Sequence, residues 1–121
     1  MDKENRMKKR TKVLIIAIQH EIKSNPLTNK KIHLIAKDAG IDRKLLEAGF
    51  RVLFGITLKK YQLMRKMEFS QQLLDEGRLT IKEIAFQCGY GSQNSFAKAF
   101  KKIYNQTPSD WQNRPEALTE E

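Results

Sequence analysis

A single sequence pattern occurs twice in this chain. The segment Ile35–Gly40 recurs 49 residues later as Ile84–Gly89, and after each glycine the match continues at an offset of 50 residues. Asp42 then aligns with Ser92, so the second turn is one residue longer than the first. Each copy has an Ile-Ala pair, a glycine, a polar residue and a second apolar segment, which is typical of a helix-turn-helix. Two copies are too few for a solenoid, so the pattern predicts two helix-turn-helix units.

Charge and composition indicate an anionic partner. The 121 residues carry a formal net charge of +9, and 40% of them are hydrophobic, enough for a modest core. Nucleic acid is the commonest partner of so basic a chain. A membrane is the rival, but the apolar segment 13–18 is far shorter than the roughly 18 residues that a span needs. The single cysteine, Cys88, cannot form an internal disulfide, which fits a reducing cytoplasm.

The spacing of apolar residues predicts an all-α fold of about seven helices. Apolar residues recur at intervals of three and four, and no alternating run indicates a strand. The expected organisation is a basic disordered tail (1–9), an N-terminal helix with the first helix-turn-helix subdomain (10–56), a long linker helix (57–76), the second helix-turn-helix subdomain (77–113) and an acidic disordered tail (114–121). The linker helix has no internal Gly or Pro and is expected to hold the two subdomains apart.

Helix ends are marked by residues with strong local preferences. Gly40 is expected to end the second helix in a left-handed conformation. Asp42 is expected to cap the third helix, and Thr80 with Glu83 forms the pattern of a capping box. On the first helix, the expected inner stripe consists of Val13, Ile16, Ala17 and His20.

These residues together resemble the AraC/XylS family of bacterial transcription regulators. The resemblance covers roughly residues 27–112, and its most specific segments are Thr80–Ala85, Gly89–Tyr90, Ser92–Phe96, Phe100–Lys102 and Thr107–Ser109. It implies a two-lobed, homeodomain-like DNA-binding domain that presents two recognition helices to successive major grooves. It also implies a bacterial cytoplasmic protein, associated with the nucleoid when bound to DNA, and activation by contact with RNA polymerase.

The second recognition helix carries four candidates for contact with DNA bases. Gln93, Asn94, Ser95 and Lys98 match the family's base-contacting positions. Gln and Asn form paired hydrogen bonds to adenine, Lys donates to guanine, and Ser is less selective. The alternative is that Gln93 and Asn94 are merely exposed residues at the start of a helix.

The first recognition helix departs from the family pattern. The matching candidates are Lys44, Glu47 and Ala48, where members often carry a basic residue at the position of Ala48 and a larger apolar one at Gly49. Glu47 can accept from cytosine or discourage a wrong site, and Ala48 offers only apolar contact. Whether this helix reads bases or mainly meets phosphates stays open at this point.

A further set of polar and basic residues is suited to phosphate. Ser92 lies at a helix start, where backbone amides favour an anion. The remaining candidates are Arg43, Arg51, Lys59, Lys60, Lys101 and Lys102. The alternative for each lysine is an ordinary solvated helix face.

The sequence therefore predicts a sequence-specific regulator of transcription that binds double-stranded DNA as a monomer. The alternative is an architectural or partner-dependent DNA-binding module with little intrinsic specificity. No catalytic set is present, and His20, His33 and Cys88 lack the spacing of metal ligands, so neither an enzyme nor a cofactor is expected. The chain resembles the family's short stand-alone members, with a domain cut from a longer regulator as the second possibility.

Overall fold

The structure is a computed structural model that describes residues 7–115, and every regular element in that range is an α-helix. The seven helices are α1 (Lys9–Ser24), α2 (Ile32–Ala39), α3 (Arg43–Phe54), α4 (Leu58–Glu76), α5 (Ile81–Gln87), α6 (Gln93–Tyr104) and α7 (Pro108–Gln112). The predicted all-α class and helix number are confirmed. The described residues divide into two compact units, and the boundary lies between Arg65 and Lys66, within α4.

Side-chain caps define where five of these helices begin. In each case an oxygen of the residue before the helix accepts a hydrogen bond of 3.1 Å from the amide three residues later. The capping residues are Asp42, Thr57, Thr80, Ser92 and Thr107. The predicted capping box is present, because the Glu83 carboxylate accepts from the Thr80 amide at 2.9 Å. That hydrogen bond also holds the pKa of Glu83 below its ordinary value.

The two helix-turn-helix turns begin with the same backbone hydrogen bonds. In the first, the amide of Ile41 donates to the Ala36 carbonyl at 3.0 Å, and in the second the amide of Tyr90 donates to the Ala85 carbonyl at 3.0 Å. The glycine preceding each donor has a positive φ, +70° at Gly40 and +85° at Gly89. Glycine is favoured in this conformation. The first helix of each motif therefore ends in the same way, and the extra residue of the second turn comes after that common end.

The first unit is built around Phe50 of α3. Helices α1, α2 and α3 pack on one another, and Leu58 at the start of α4 joins their core. The Phe50 ring centroid lies 4.7 Å from that of Phe54 and 5.5 Å from that of Tyr61. The Tyr61 hydroxyl in turn accepts a hydrogen bond of 2.9 Å from the Gln19 side chain of α1. Burial of a side chain such as Phe50 contributes about 1.5–3 kcal/mol, so this contact set fixes α3 against α1 and α4.

The inward face of α1 is not the one that the sequence suggested. All four residues of the expected stripe are exposed: Val13 (57%), Ile16 (37%), Ala17 and His20. The buried face carries Ile15, Ile18 and Ile22 instead. At 3.6 residues per turn the two sets lie on opposite sides of the helix. Because both sets have helical spacing, periodicity alone does not distinguish them.

Gly49 explains which face of α1 turns inward. A Cβ atom built on Gly49 would overlap Cδ1 of the fully buried Ile15 and would lie 3.2 Å from Cε of Met7. The absence of a side chain on α3 at this point therefore creates the space that Ile15 fills.

The second unit repeats this construction around Phe100 of α6. The α5 and α6 helices pack together, as do α6 and α7, and the Phe100 ring centroid lies 4.7 Å from Tyr104 and 6.5 Å from Trp111. The Trp111 indole donates to the Asp75 carboxylate of α4 at 3.0 Å. This hydrogen bond joins α7 to the end of α4 within the second unit.

The duplication extends beyond the two helix-turn-helix motifs. Met67, Ser70 and Leu74 are buried on the second half of α4, with the same intervals of three and four residues as the buried isoleucines of α1. The Ser70 hydroxyl is satisfied by the Met67 carbonyl at 2.6 Å. Each unit therefore has a leading helix with one buried stripe, followed by the helix-turn-helix.

The two predicted tails fall only partly within the described residues. Residues 1–6 and 116–121 lie outside them, and α1 begins at Lys9, within the predicted basic tail. Arg114, the first residue of the predicted acidic tail, is held in place. Its guanidinium pairs with Asp75 at 3.1 Å and lies 3.8 Å from the Trp111 ring centroid.

The packing of Gly49 against Ile15 predicts a measurable coupling between the two positions. Gly49→Ala gains roughly 1 kcal/mol of helix propensity but forces an overlap that costs about 1–3 kcal/mol, so we expect lower stability. Ile15→Val alone costs about 1 kcal/mol, yet it removes the overlapping methyl group. Without that methyl group the overlap disappears, so we expect the double variant Ile15→Val/Gly49→Ala to be more stable than the sum of the two single losses predicts. Urea unfolding of the three variants measures this. Additive effects of the two substitutions would contradict this packing.

Burial predicts that Cys88 is chemically inert in the folded protein. The residue is fully buried, and burial raises the pKa of its thiol to about 11, although the nearby Lys66 ammonium opposes that rise. At pH 8 only roughly one thiol in a thousand is then ionised, compared with about one in four for a free cysteine. We expect native protein to react with Ellman's reagent at least about a hundredfold more slowly than the same protein in urea. Comparable rates in the two conditions would show that the site opens readily.

Candidate nucleic-acid interface

The outer face of α6 is a continuous polar surface. Phe96 and Phe100 are fully buried on the inner side. Three exposed residues, Asn94, Lys98 and Lys101, follow one another at intervals of four and three on the opposite side, so their side chains are neighbours on the helix surface. Lys102 is exposed beside them. Helical periodicity thus separates the residues that hold α6 in place from those that face outward.

The N-terminus of α6 organises the residues predicted to reach bases and phosphate. Gln93 and Asn94 are exposed in the first turn. The Ser92 hydroxyl accepts from the Ser95 amide at 3.1 Å and donates to the Ser95 hydroxyl at 3.0 Å. The Ser95 hydroxyl therefore keeps its own proton for another acceptor, while Ser92 is committed to capping the helix. A phosphate approaching Ser92 would meet backbone amides of the first turn more readily than its hydroxyl proton.

The outer face of α3 has the same layout with different chemistry. Lys44, Ala48 and Arg51 are exposed at intervals of four and three, in the positions of Asn94, Lys98 and Lys101 on α6. Glu47 is half-buried at the side of this face, and its carboxylate pairs with Arg43 at 3.1 Å. Because both partners are partly solvated, this pair is weak and can open when another charged group approaches.

One exposed residue of α3 was missed by the sequence-based assignment. Leu45 is 46% exposed, on the same side of the helix as Ala48. The offset of 50 residues places it at the position of Ser95, which was assigned to base contact. The duplication therefore already indicated an exposed position, although Leu45 was not among the sequence-based candidates.

The remaining basic candidates surround these faces within their own units. Lys59 and Lys60 are exposed in the first turn of α4, and Lys101 and Lys102 are exposed in the last turn of α6. Cations at a helix N-terminus oppose the helix dipole, so Lys59 and Lys60 strengthen the positive potential there. Such a surface favours binding of an anion.

Other kinds of site are not found in residues 7–115. No three His, Cys, Asp or Glu side chains in that range come together as a metal site would require. None of the helices there combines the length and apolar character needed to cross a membrane.

Sequence comparison relates this chain to a known family. Residues 35–114 match the family described as a helix-turn-helix domain. The xylose operon regulatory protein of Escherichia coli K12 is 31% identical over 99 residues, which are 82% of this chain and 25% of that protein. A putative AraC-like transcription regulator of Streptomyces lividans is 31% identical over 81 residues, 67% of this chain and 27% of that protein. The chain thus spans about a quarter of the length of these relatives.

Comparison with solved structures agrees with the sequence comparison. The C-terminal domain of the two-component response regulator yesN from Fusobacterium nucleatum superimposes with a TM-score of 0.73 at 28% identity, covering 80% of this chain and 95% of that domain. The family match over residues 35–114 includes both copies of the repeated pattern, and the predicted family membership is confirmed. The chain belongs to the AraC/XylS family of helix-turn-helix DNA-binding regulators of transcription.

Proposed function

We propose that this chain binds a specific double-stranded DNA sequence by inserting α6 and α3 into successive major grooves. The observation that carries the proposal is the outer face of α6, where exposed amide, hydroxyl and ammonium groups lie opposite two fully buried phenylalanines. A rigidly held helix with hydrogen-bonding groups in its first turns is what direct reading of base edges requires.

The residues of α6 are assigned by their hydrogen-bonding capacity. Gln93 and Asn94 each offer one donor and one acceptor to adenine, and Lys98 donates to guanine acceptors. Ser95 offers its free hydroxyl proton to an acceptor on a base edge, with little selectivity. This helix supplies most of the discrimination between sequences.

The residues of α3 make a smaller contribution to hydrogen-bonded reading. Lys44 donates to a base edge, Ala48 makes apolar contact, and Glu47 accepts from cytosine once Arg43 turns to the backbone. Arg43 thereby exchanges one carboxylate partner for a phosphate, which keeps its charge satisfied.

Phosphate contacts position the protein on the duplex. The proposed contacts are Ser92 with its neighbouring amides, Arg43, Arg51, Lys59, Lys60, Lys101 and Lys102. Such contacts supply affinity that is independent of sequence and falls with salt concentration.

One copy of the chain carries two recognition helices, so a monomer suffices for an asymmetric site. Successive major grooves on one side of B-DNA lie about 34 Å apart. Any mismatch with the separation of the two helices is accommodated by bending the DNA, at a cost of about 1–6 kcal/mol. We further propose that the bound protein activates transcription by contacting RNA polymerase, an inference that rests on family resemblance.

Substitutions on α6 should separate base reading from charge. We expect Gln93→Ala or Lys98→Ala to weaken binding to the cognate duplex by roughly 1–3 kcal/mol and to change binding to random DNA little. Lys102→Ala is the matched control, because loss of a phosphate contact weakens both duplexes similarly and lowers the salt slope by about 0.9. Fluorescence anisotropy at several salt concentrations measures both effects. Equal losses on both duplexes for Lys98→Ala would favour an architectural or partner-dependent module instead.

Selection from a random DNA pool should yield an asymmetric site. We expect a single enriched motif of about 20 base pairs, or two helical turns, because one chain presents two different recognition helices. Footprinting and the stoichiometry of the complex give the length and the number of chains. A palindromic motif that binds only dimers would contradict the proposed monomeric mode.

A further inference from the structure

An exposed apolar surface lies in the middle of the α3 outer face. Leu45 is 46% exposed, and Ala48, one helical turn later, is exposed as well. Lys44 and Arg51 flank these two residues and are both exposed. Ala48 lies three or four residues from each of Lys44, Leu45 and Arg51, so its side chain is a neighbour of all three on the helix surface. The surface is therefore a small apolar patch bordered by cations.

The equivalent face of α6 has no such apolar patch. The equivalent positions on α6 carry Ser95 and Lys98, both polar and both exposed. The inner faces of the two helices are alike, since Phe50 and Phe100 are both fully buried. The two helices thus share a scaffold and differ in the chemistry of the groups that they present.

We propose that Leu45 and Ala48 contact the C5-methyl groups of thymines in the half-site under α3. This inference rests on the proposed function and names the bases that the first recognition helix selects. Among the groups that base edges show in the major groove, the thymine methyl is the apolar one. The flanking Lys44 and Arg51 meet base edges or phosphates on either side, which holds the apolar patch against the groove.

A consequence is that the two helices read different kinds of information. The α6 helix discriminates by hydrogen bonds, whereas α3 adds methyl contacts by Leu45 and Ala48 to the hydrogen bonds proposed for Lys44 and Glu47. The half-site under α3 therefore has thymine at the positions that Leu45 and Ala48 contact.

Deoxyuridine provides a direct test, because it keeps the thymine hydrogen-bonding edge and lacks only the methyl group. The probe is the duplex enriched by selection, with each thymine replaced in turn by deoxyuridine. Burial of one methyl group corresponds to about a fourfold change in affinity. We expect such a loss at one or two thymines, all in the same half of the site.

Two variants identify the residue responsible. Leu45→Ser introduces the side chain found at the equivalent position of α6, and it should lose the sensitivity at the thymine that Leu45 contacts while keeping any sensitivity at a thymine that Ala48 contacts. Leu34→Ser is the matched control, because Leu34 is a similarly exposed leucine (40%) on α2; it should keep the full sensitivity to the methyl group. Thermal unfolding verifies that both variants are folded.

The outcomes separate this inference from the proposed function. If selection yields a motif but no deoxyuridine substitution weakens binding, or Leu45→Ser keeps the sensitivity at every thymine, methyl reading by Leu45 is overturned and specific DNA binding stands. If selection yields no motif, the proposed function fails and this inference fails with it. Sensitivity that is confined to one half of the site, and that Leu45→Ser removes at one thymine, supports both.

Discussion

The packing of one phenylalanine in each unit fixes the orientation of the helix that faces outward. Phe50 contacts aromatic residues four and eleven positions later, Phe54 and Tyr61, and Phe100 contacts Tyr104 and Trp111 at the same intervals. These contacts join α3 to α4 and α6 to α7. Because a helix has a single rotational setting once one face is packed, burial of the phenylalanine also determines which side chains point outward. The proposed recognition chemistry therefore depends on core residues that are not themselves proposed to contact DNA.

Local signals made much of the fold predictable. Caps such as Asp42 and Thr80, and the glycines that end helices, act through the backbone within three or four residues, so they can be recognised without knowledge of the tertiary structure. The inward face of α1 was predicted wrongly for the opposite reason. The helix is apolar on both sides, and the choice between them is made by Gly49, whose missing side chain accommodates Ile15 from a helix far along the chain.

The exposed face of the candidate interface was predictable in part. Residues such as Asn94 and Lys98 are polar and lie opposite a buried aromatic stripe, so helical phase alone identifies their face. The exposure of Leu45 was not predicted, because hydrophobicity favours burial on average and because exposure depends on what the neighbouring helices leave uncovered. The duplication contains the missing information, since equivalent positions on equivalent scaffolds share exposure even where their chemistry differs.

Duplication followed by divergence has a functional consequence under the proposed mechanism. Two units with identical outer faces would select the same half-site twice, and an amino-acid substitution in both would alter the reading of both halves. Here the outer faces differ at the positions of Leu45 and Ser95 and of Ala48 and Lys98, so each half of a site is selected by separate chemistry. A change in one half then costs the contacts of one helix alone, and roughly additive losses are expected across the two halves. A single chain can thereby define both the sequence and the direction of its site, which a symmetric dimer cannot do.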